Sequence, residues 1–131
     1  RPATRRRPPA ETLPALRDRV ELIEPETEFL PGVRLVPAPG HRSDHTAVEF
    51  QSDGKTLLHT VDALRHPLQA QHPDWVSFID SFPEQVGPTC RALLERAARR
   101  DALVFSAHIT FPGLGRARPA GEAWTWETAA P

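Results

Sequence analysis

Short apolar runs broken by turn residues dominate the first half of the chain, and a single helical stripe dominates the second. Val20-Glu21-Leu22-Ile23 and Val33-Arg34-Leu35-Val36 are β-type runs, with Pro31-Gly32 punctuating the approach to the second. His45–Ser52 and Lys55–Asp62 flank Asp53-Gly54, a two-residue loop suited to a type I′ turn, whose two central residues need positive φ. The turn predicts a register: Ser52 opposite Lys55, Phe50 opposite Leu57, His45 opposite Asp62. One hairpin face then carries Val48, Phe50, Leu57 and Val61 and reads as core. The other carries His45, Glu49, Thr60 and Asp62 and reads as the polar face. Directly opposed residues have Cβ atoms about 4.5–5.5 Å apart, so His45 and Asp62 are expected to be neighbours.

A long loop over residues 63–80 follows, too long for a simple spacer. Ser81-Phe82-Pro83-Glu84 has capping-box spacing and predicts a helix running to about Arg100, bent or restarted at Gly87-Pro88. Val86, Cys90, Leu93, Leu94 and Ala97 form its apolar stripe, as expected of a helix packed on a sheet. Ala102–Ala107 reads as a buried strand ending at His108, Phe111–Gly115 as a turn, and Ala123–Glu127 as a final edge strand. There is no internal repeat.

Composition narrows the class. At 131 residues, with 39% apolar and 25% charged positions, the chain fits one globular domain. No apolar run reaches the ~18 residues of a membrane span, and no secretory signal opens the chain. One cysteine, Cys90, excludes an internal disulfide and a cysteine-based zinc knuckle. A net charge of −1 gives no reason to expect a nucleic-acid partner. Residues 1–12 read as a basic, proline-rich linker or remnant, and 13–131 as the folded unit. The first ten residues hold four arginines and no acid; without them 12 basic face 17 acidic residues, net −5. With Arg1 in first place and no methionine anywhere, the chain is expected to be a piece of something longer.

Three candidates for chemistry share one placement, at or just beyond the end of a predicted strand: His41, Asp62 and His108. Loops converge over the carboxyl ends of strands, and reactive groups collect there. Two imidazoles and a carboxylate are also a ligand set that zinc and similar divalent ions favour. Either a metal-binding set or three ordinary polar loop-end residues satisfies this pattern.

Pro39-Gly40-His41-Arg42-Ser43-Asp44-His45-Thr46 resembles the PGHTPGH segment of the metallo-β-lactamase-fold hydrolases. Leu58–Ala63 resembles their strand ending in a bridging aspartate, and Ser106-Ala107-His108 their last histidine. Phe111–Arg116 and Trp124-Thr125-Trp126 are similar to the methyl parathion hydrolase and lactonase-like branch. The likeness spans about residues 13–127. It implies a metal-dependent hydrolase acting on an ester, lactone or phosphoester. His41 would bind one divalent ion, most simply zinc, and His108 a second, while Asp62 would bridge the two as the chain's catalytic carboxylate. His45 would lie behind them, orienting Asp62. His59 is expected to pack, His66 and His72 to sit in the long loop, and Trp75, Phe111 and Cys90 to join the core.

Two departures qualify the likeness. Arg42-Ser43-Asp44 replaces Thr-Pro-Gly, altering the turn after His41 without touching the histidine. The family's HxHxDH motif, which supplies its other ligands, is absent from this sequence. The fold class expected is therefore α/β: the C-terminal half of an αβ/βα metallo-β-lactamase-like sandwich, a mainly antiparallel sheet with one principal helix. Metal uptake by such a half is expected to be weak or absent, with a small-molecule substrate belonging to the intact parent. The rival reading is a non-catalytic half-domain kept for binding or self-assembly, with a homodimer or the missing N-terminal half as partner. Neither nucleic acid nor membrane is expected as a partner, and the lone cysteine favours the cytoplasm.

Overall fold

Six antiparallel pairings would make a simple meander, but one step in this chain is parallel. A computed structural model describes residues 14–129. After a short 3-10 turn, Pro14–Arg19, come β1 (Glu28–Leu30), β2 (Val33–Pro37), β3 (Thr46–Ser52) and β4 (Lys55–His59). A four-residue helix α1 (Leu68–Gln71) and the long helix α2 (Pro83–Arg99) follow, then β5 (Leu103–Phe105), β6 (Leu114–Ala120) and β7 (Ala123–Thr128). The seven strands lie side by side in chain order, and only β4 and β5 run parallel. That step needs a crossover, which residues 60–102 supply through α1 and α2. The expected class, an α/β unit with a mainly antiparallel sheet and one principal helix, is the one observed.

The Asp53-Gly54 turn forms as its residue types require, with φ of 49° and 72°. Its register is the one expected, Ser52 opposite Lys55 and Phe50 opposite Leu57. The choice of core face is reversed. Ala47, Glu49, Leu58 and Thr60 are buried, while Val48 and Leu57 are only half-buried and Phe50 is 39% exposed. Helix α2 is the cause. Cys90, Leu93, Leu94 and Ala97 pack with Val36, Ala47, Leu58, Val104 and Ala117 in one core, so the face beneath the helix is the dry one. Each fully buried Leu or Val there is worth about 1.5–3 kcal/mol. Glu49 is tolerated because Arg96 (2.7 Å) and Arg100 (2.6 Å) reach its carboxylate from the helix.

Several other expectations need correction. Val20–Ile23 is not a strand: Leu22 is 92% exposed, and no neighbouring strand accepts this run. The chain pairs instead through β1, an Arg34–Glu28 ion pair reinforcing the link to β2. The capping box is not made. Phe82 occupies the N-cap without a side-chain bond, Ser81 receives Arg42 Nη1 at 2.5 Å, and Pro83 opens the helix. Helix α2 is one element across Gly87-Pro88. Trp75 and Phe111, expected in the core, are 53% and 89% exposed. Strand β6 was hidden by its arginines, glycine and proline, yet it lies between β5 and β7. The predicted linker, residues 1–12, lies outside the described residues. No helix among the described residues is long and apolar enough to cross a membrane.

Candidate functional site

Three loops meet at one end of the sheet. The first leaves β2 and carries His41. Gly40 adopts φ 142° against Val86 of α2, a close approach a side chain would obstruct. Ser81 N donates to His41 O at 3.2 Å, Phe82 N to Gly40 O at 2.9 Å, and Thr89 Oγ1 to Pro39 O at 2.6 Å. The loop is thus tied to the start of α2 at three points.

The second loop leaves β4. The strand ends at His59, three residues earlier than Asp62 requires if it is to terminate the strand. A tight turn closed by Ala63 N to Thr60 O, 3.0 Å, presents the aspartate instead. Val61 within that turn sits at φ 50°, a left-handed conformation costly for a β-branched residue. The third loop leaves β5, with His108 three residues past its end. Ser106 Oγ donates to Leu64 O, linking the Asp62 and His108 loops, and the His108 amide donates back to that hydroxyl at 3.4 Å.

The structure brings His41, His45, Asp62 and His108 together. His108 Nε2 lies 2.6 Å from Asp62 Oδ1, and His41 Nε2 lies 3.9 Å from Oδ2. His45 is 3.5 Å from Oδ2. Its ring has no nitrogen to spare: Nδ1 lies 3.1 Å from the Ala38 carbonyl and so carries the proton, leaving Nε2 to accept the Asp62 amide at 3.3 Å. His45 thereby fixes the backbone from which the carboxylate projects. The hydrogen bond from His108 lowers the Asp62 carboxyl below its ordinary value, against a burial that would raise it, and His41 and His45 add to the lowering.

Sequence reasoning missed two residues. Asp80 and Arg65, both in the long loop, stand behind His41. Asp80 Oδ1 is 3.3 Å from His41 Nδ1, while Arg65 grips both Asp80 oxygens at 2.6 and 3.2 Å. Burial would raise the Asp80 carboxyl, but Arg65, the Ser77 amide at 2.8 Å and His41 together hold it below its ordinary value. Neither residue belongs to a motif; the only hint was the unusual length of the loop. The remaining histidines lie apart from this group. His59 packs against Phe105 with the rings tilted and their centroids 4.7 Å apart. His66 accepts the Leu68 amide, and His72 stacks on Trp75 at 4.4 Å.

Among the described residues, no three His, Cys, Asp or Glu side chains form a set that could hold one ion. The geometry accounts for this. Asp62 turns one oxygen to His108 and the other toward His41, and His45 is committed to hydrogen bonds. Each side of the carboxylate is left with one imidazole.

The fold, a mainly antiparallel sheet backed by one principal helix, is shared with solved metallo-β-lactamase-fold hydrolases. The solved lactonase AidC, a dizinc quorum-quenching enzyme in complex with a product N-hexanoyl-L-homoserine, matches 92% of this chain and 41% of its own, with TM-score 0.80 and 21% identity. The hydrolase AbOPH of the β-lactamase superfamily matches 90% and 42%, with TM-score 0.74 and 17% identity. In sequence, the N-acyl homoserine lactonase of Bacillus thuringiensis is 30% identical over 90 residues, which is 67% of this chain and 35% of that one. The chain spans about a third of the length of the curated relatives it matches. No family model matches it. Its homologues and structural neighbours are thus N-acyl homoserine lactonases and other metallo-β-lactamase-fold hydrolases, matched over only part of their length.

Proposed function

We propose that this chain carries half of the metal-holding apparatus of a lactone- or ester-cleaving hydrolase. In this reading His41 and His108 would each help hold a zinc ion, with Asp62 shared between them. One observation carries the reading: Asp62 Oδ1 faces His108 at 2.6 Å and Oδ2 faces His41 at 3.9 Å, while the nearer His45, 3.5 Å from Oδ2, is taken up by the Asp62 amide. The donor chemistry fits, since neutral imidazole and carboxylate are ordinary zinc ligands, and dizinc lactonases share the fold. Zinc held there would act as a Lewis acid on the scissile carbonyl and supply a nucleophile at neutral pH. Before any metal is bound, the hydrogen bond from His108 lowers the Asp62 carboxyl; zinc at His108 Nε2 would replace that bond and free the oxygen as a donor. His45 keeps that carboxylate in place through the Asp62 amide. The lactone or related ester as substrate class rests on the sequence relatives, which are lactonases.

Zinc titration of the full chain by calorimetry, beside hydrolysis of an N-hexanoyl homoserine lactone, tests this. The expected result is weak uptake of one ion and no turnover, with uptake falling further in His41→Ala, Asp62→Ala and His108→Ala. Uptake indifferent to all three substitutions would overturn the ligand assignment. Tight uptake of two ions with turnover abolished by Asp62→Ala would overturn the half-site.

A further inference from the structure

We propose that Asp80, held by Arg65, is the positioning residue of His41, selecting the ring tautomer that leaves Nε2 unprotonated on the side facing Asp62. The proposal rests on the reading of His41 Nε2 as a metal-holding atom.

Asp80 is the last polar residue of the long loop before Ser81 and α2, and its side chain is 1% exposed. Every oxygen is in use. Oδ1 meets Arg65 Nη2 at 2.6 Å and His41 Nδ1 at 3.3 Å, and Oδ2 meets Arg65 Nη1 at 3.2 Å and the Ser77 amide at 2.8 Å. Stability alone gives a poor reason for this cluster. A buried ion pair roughly breaks even with apolar residues of the same volume, and here Arg65 Nε is buried without a partner.

The reason lies at His41 Nδ1, which has two neighbours of opposite demand. Arg65 Nη2, at 2.9 Å, can only donate; Asp80 Oδ1, at 3.3 Å, can only accept. If Nδ1 accepts from Arg65, the ring proton sits on Nε2, and the nitrogen facing Asp62 has no lone pair to give. If Nδ1–H donates to Asp80, the lone pair is on Nε2. Asp80 is the carboxylate within reach that favours the second state, and the two-point grip of Arg65 keeps it there. Histidine ligands of metals generally give their second ring N–H to such an acceptor, which fixes both tautomer and ring direction. Without Asp80, the same Arg65 would turn against the site: no longer neutralised, its N–H would take Nδ1 and drive the proton to Nε2.

The test uses long-range nitrogen–proton NMR of the His41 ring in the metal-free full chain, with zinc titration of the same variants. The wild-type ring is expected to populate the Nδ1–H form and become wholly so on zinc addition. Asp80→Asn is expected to move it to Nε2–H and to weaken zinc binding about 10–100-fold. Because Asp80→Asn strands a buried arginine, a second variant, Asp80→Leu with Arg65→Met, removes both charges and is expected to keep the melting temperature near wild type. It is expected to bind zinc at least about tenfold more weakly than wild type all the same. Wild-type affinity and an unmoved ring tautomer in the folded double variant would overturn the proposal. A His41 spectrum unmoved by Asp80→Asn would overturn it too, even where His41→Ala abolishes zinc uptake. Zinc uptake unchanged by His41→Ala is a different failure, that of the ligand assignment; the metal-free ring spectrum still decides whether Asp80 positions the ring.

Discussion

Glu49 shows how a single residue can invert an expectation. Its place on the hairpin made its face look polar, yet its side chain is 1% exposed beneath α2. Burial would raise its carboxyl; the hydrogen bonds and charges of Arg96 and Arg100 outweigh that and hold it below its ordinary value. A carboxyl lowered in the folded state stabilises above its unfolded value of about 4.3, and that contribution is lost as pH falls toward the folded value. Glu49→Gln is therefore expected to cost about 1–3 kcal/mol at pH 7, leaving two arginines short of a partner. The gap between variant and wild type is expected to narrow as the pH drops from 6 to 3. Urea unfolding of both proteins across that range measures it.

At the scale of elements, β6 depends on its partner. It carries Arg116, Arg118 and Pro119, residues that do not mark a strand, and is held through its pairing with β7. Arg118 adds ion pairs to Asp101 at 2.5 Å and Glu127 at 2.8 Å. Gly115 is what lets the Trp126 indole approach the strand so closely; a Cβ at this position would overlap the ring and the Glu127 carbonyl. Gly115→Ala is expected to destabilise by about 1–3 kcal/mol, the range for overfilling a packed site. Tryptophan emission should shift in the folded state as the indole is displaced, and a thermal melt followed by fluorescence reads both effects. Gly40 plays the corresponding part beside His41, where it admits Val86.

For the whole molecule, the two faces of the sheet are unequal. Val36, Ala47, Leu58, Val104 and Ala117 are buried on the helix side. On the other side lie Val33, Leu35, Val48, Phe50, Leu57, Leu103 and Phe105, aligned by register and none of them fully covered. Large contiguous apolar patches are rare on soluble monomers and mark surfaces that associate. The isolated chain is expected to self-associate through this face, and sedimentation equilibrium at micromolar concentrations measures it. Phe50→Glu, near the middle of the face, is expected to shift the population to monomer without unfolding it. A wild-type chain that remains monomeric would show that the exposed face does not drive association.

Local chemistry settled much of this protein in advance. Asp53-Gly54 imposed its own turn, and that turn imposed the register from Ser52–Lys55 inward, because side-chain alternation leaves no freedom once the loop length is set. The 3.6-residue stripe of α2 was likewise legible. So was the placing of His41, Asp62 and His108 after strands, although Asp62 and His108 fall in the loops three residues beyond their strands rather than at the strand ends. What stayed hidden depended on distant partners. Which hairpin face is dry was decided by where α2 lands, more than 30 residues later, and its arginines made a buried glutamate acceptable. Strand β6 exists because β5 and β7 offer it hydrogen bonds, not because its residues favour strand. Arg65 and Asp80 stand 15 positions apart and reach His41 from 24 and 39 positions away. No local pattern encodes such a meeting; only the crossover, folded over the end of the sheet, brings the three into contact.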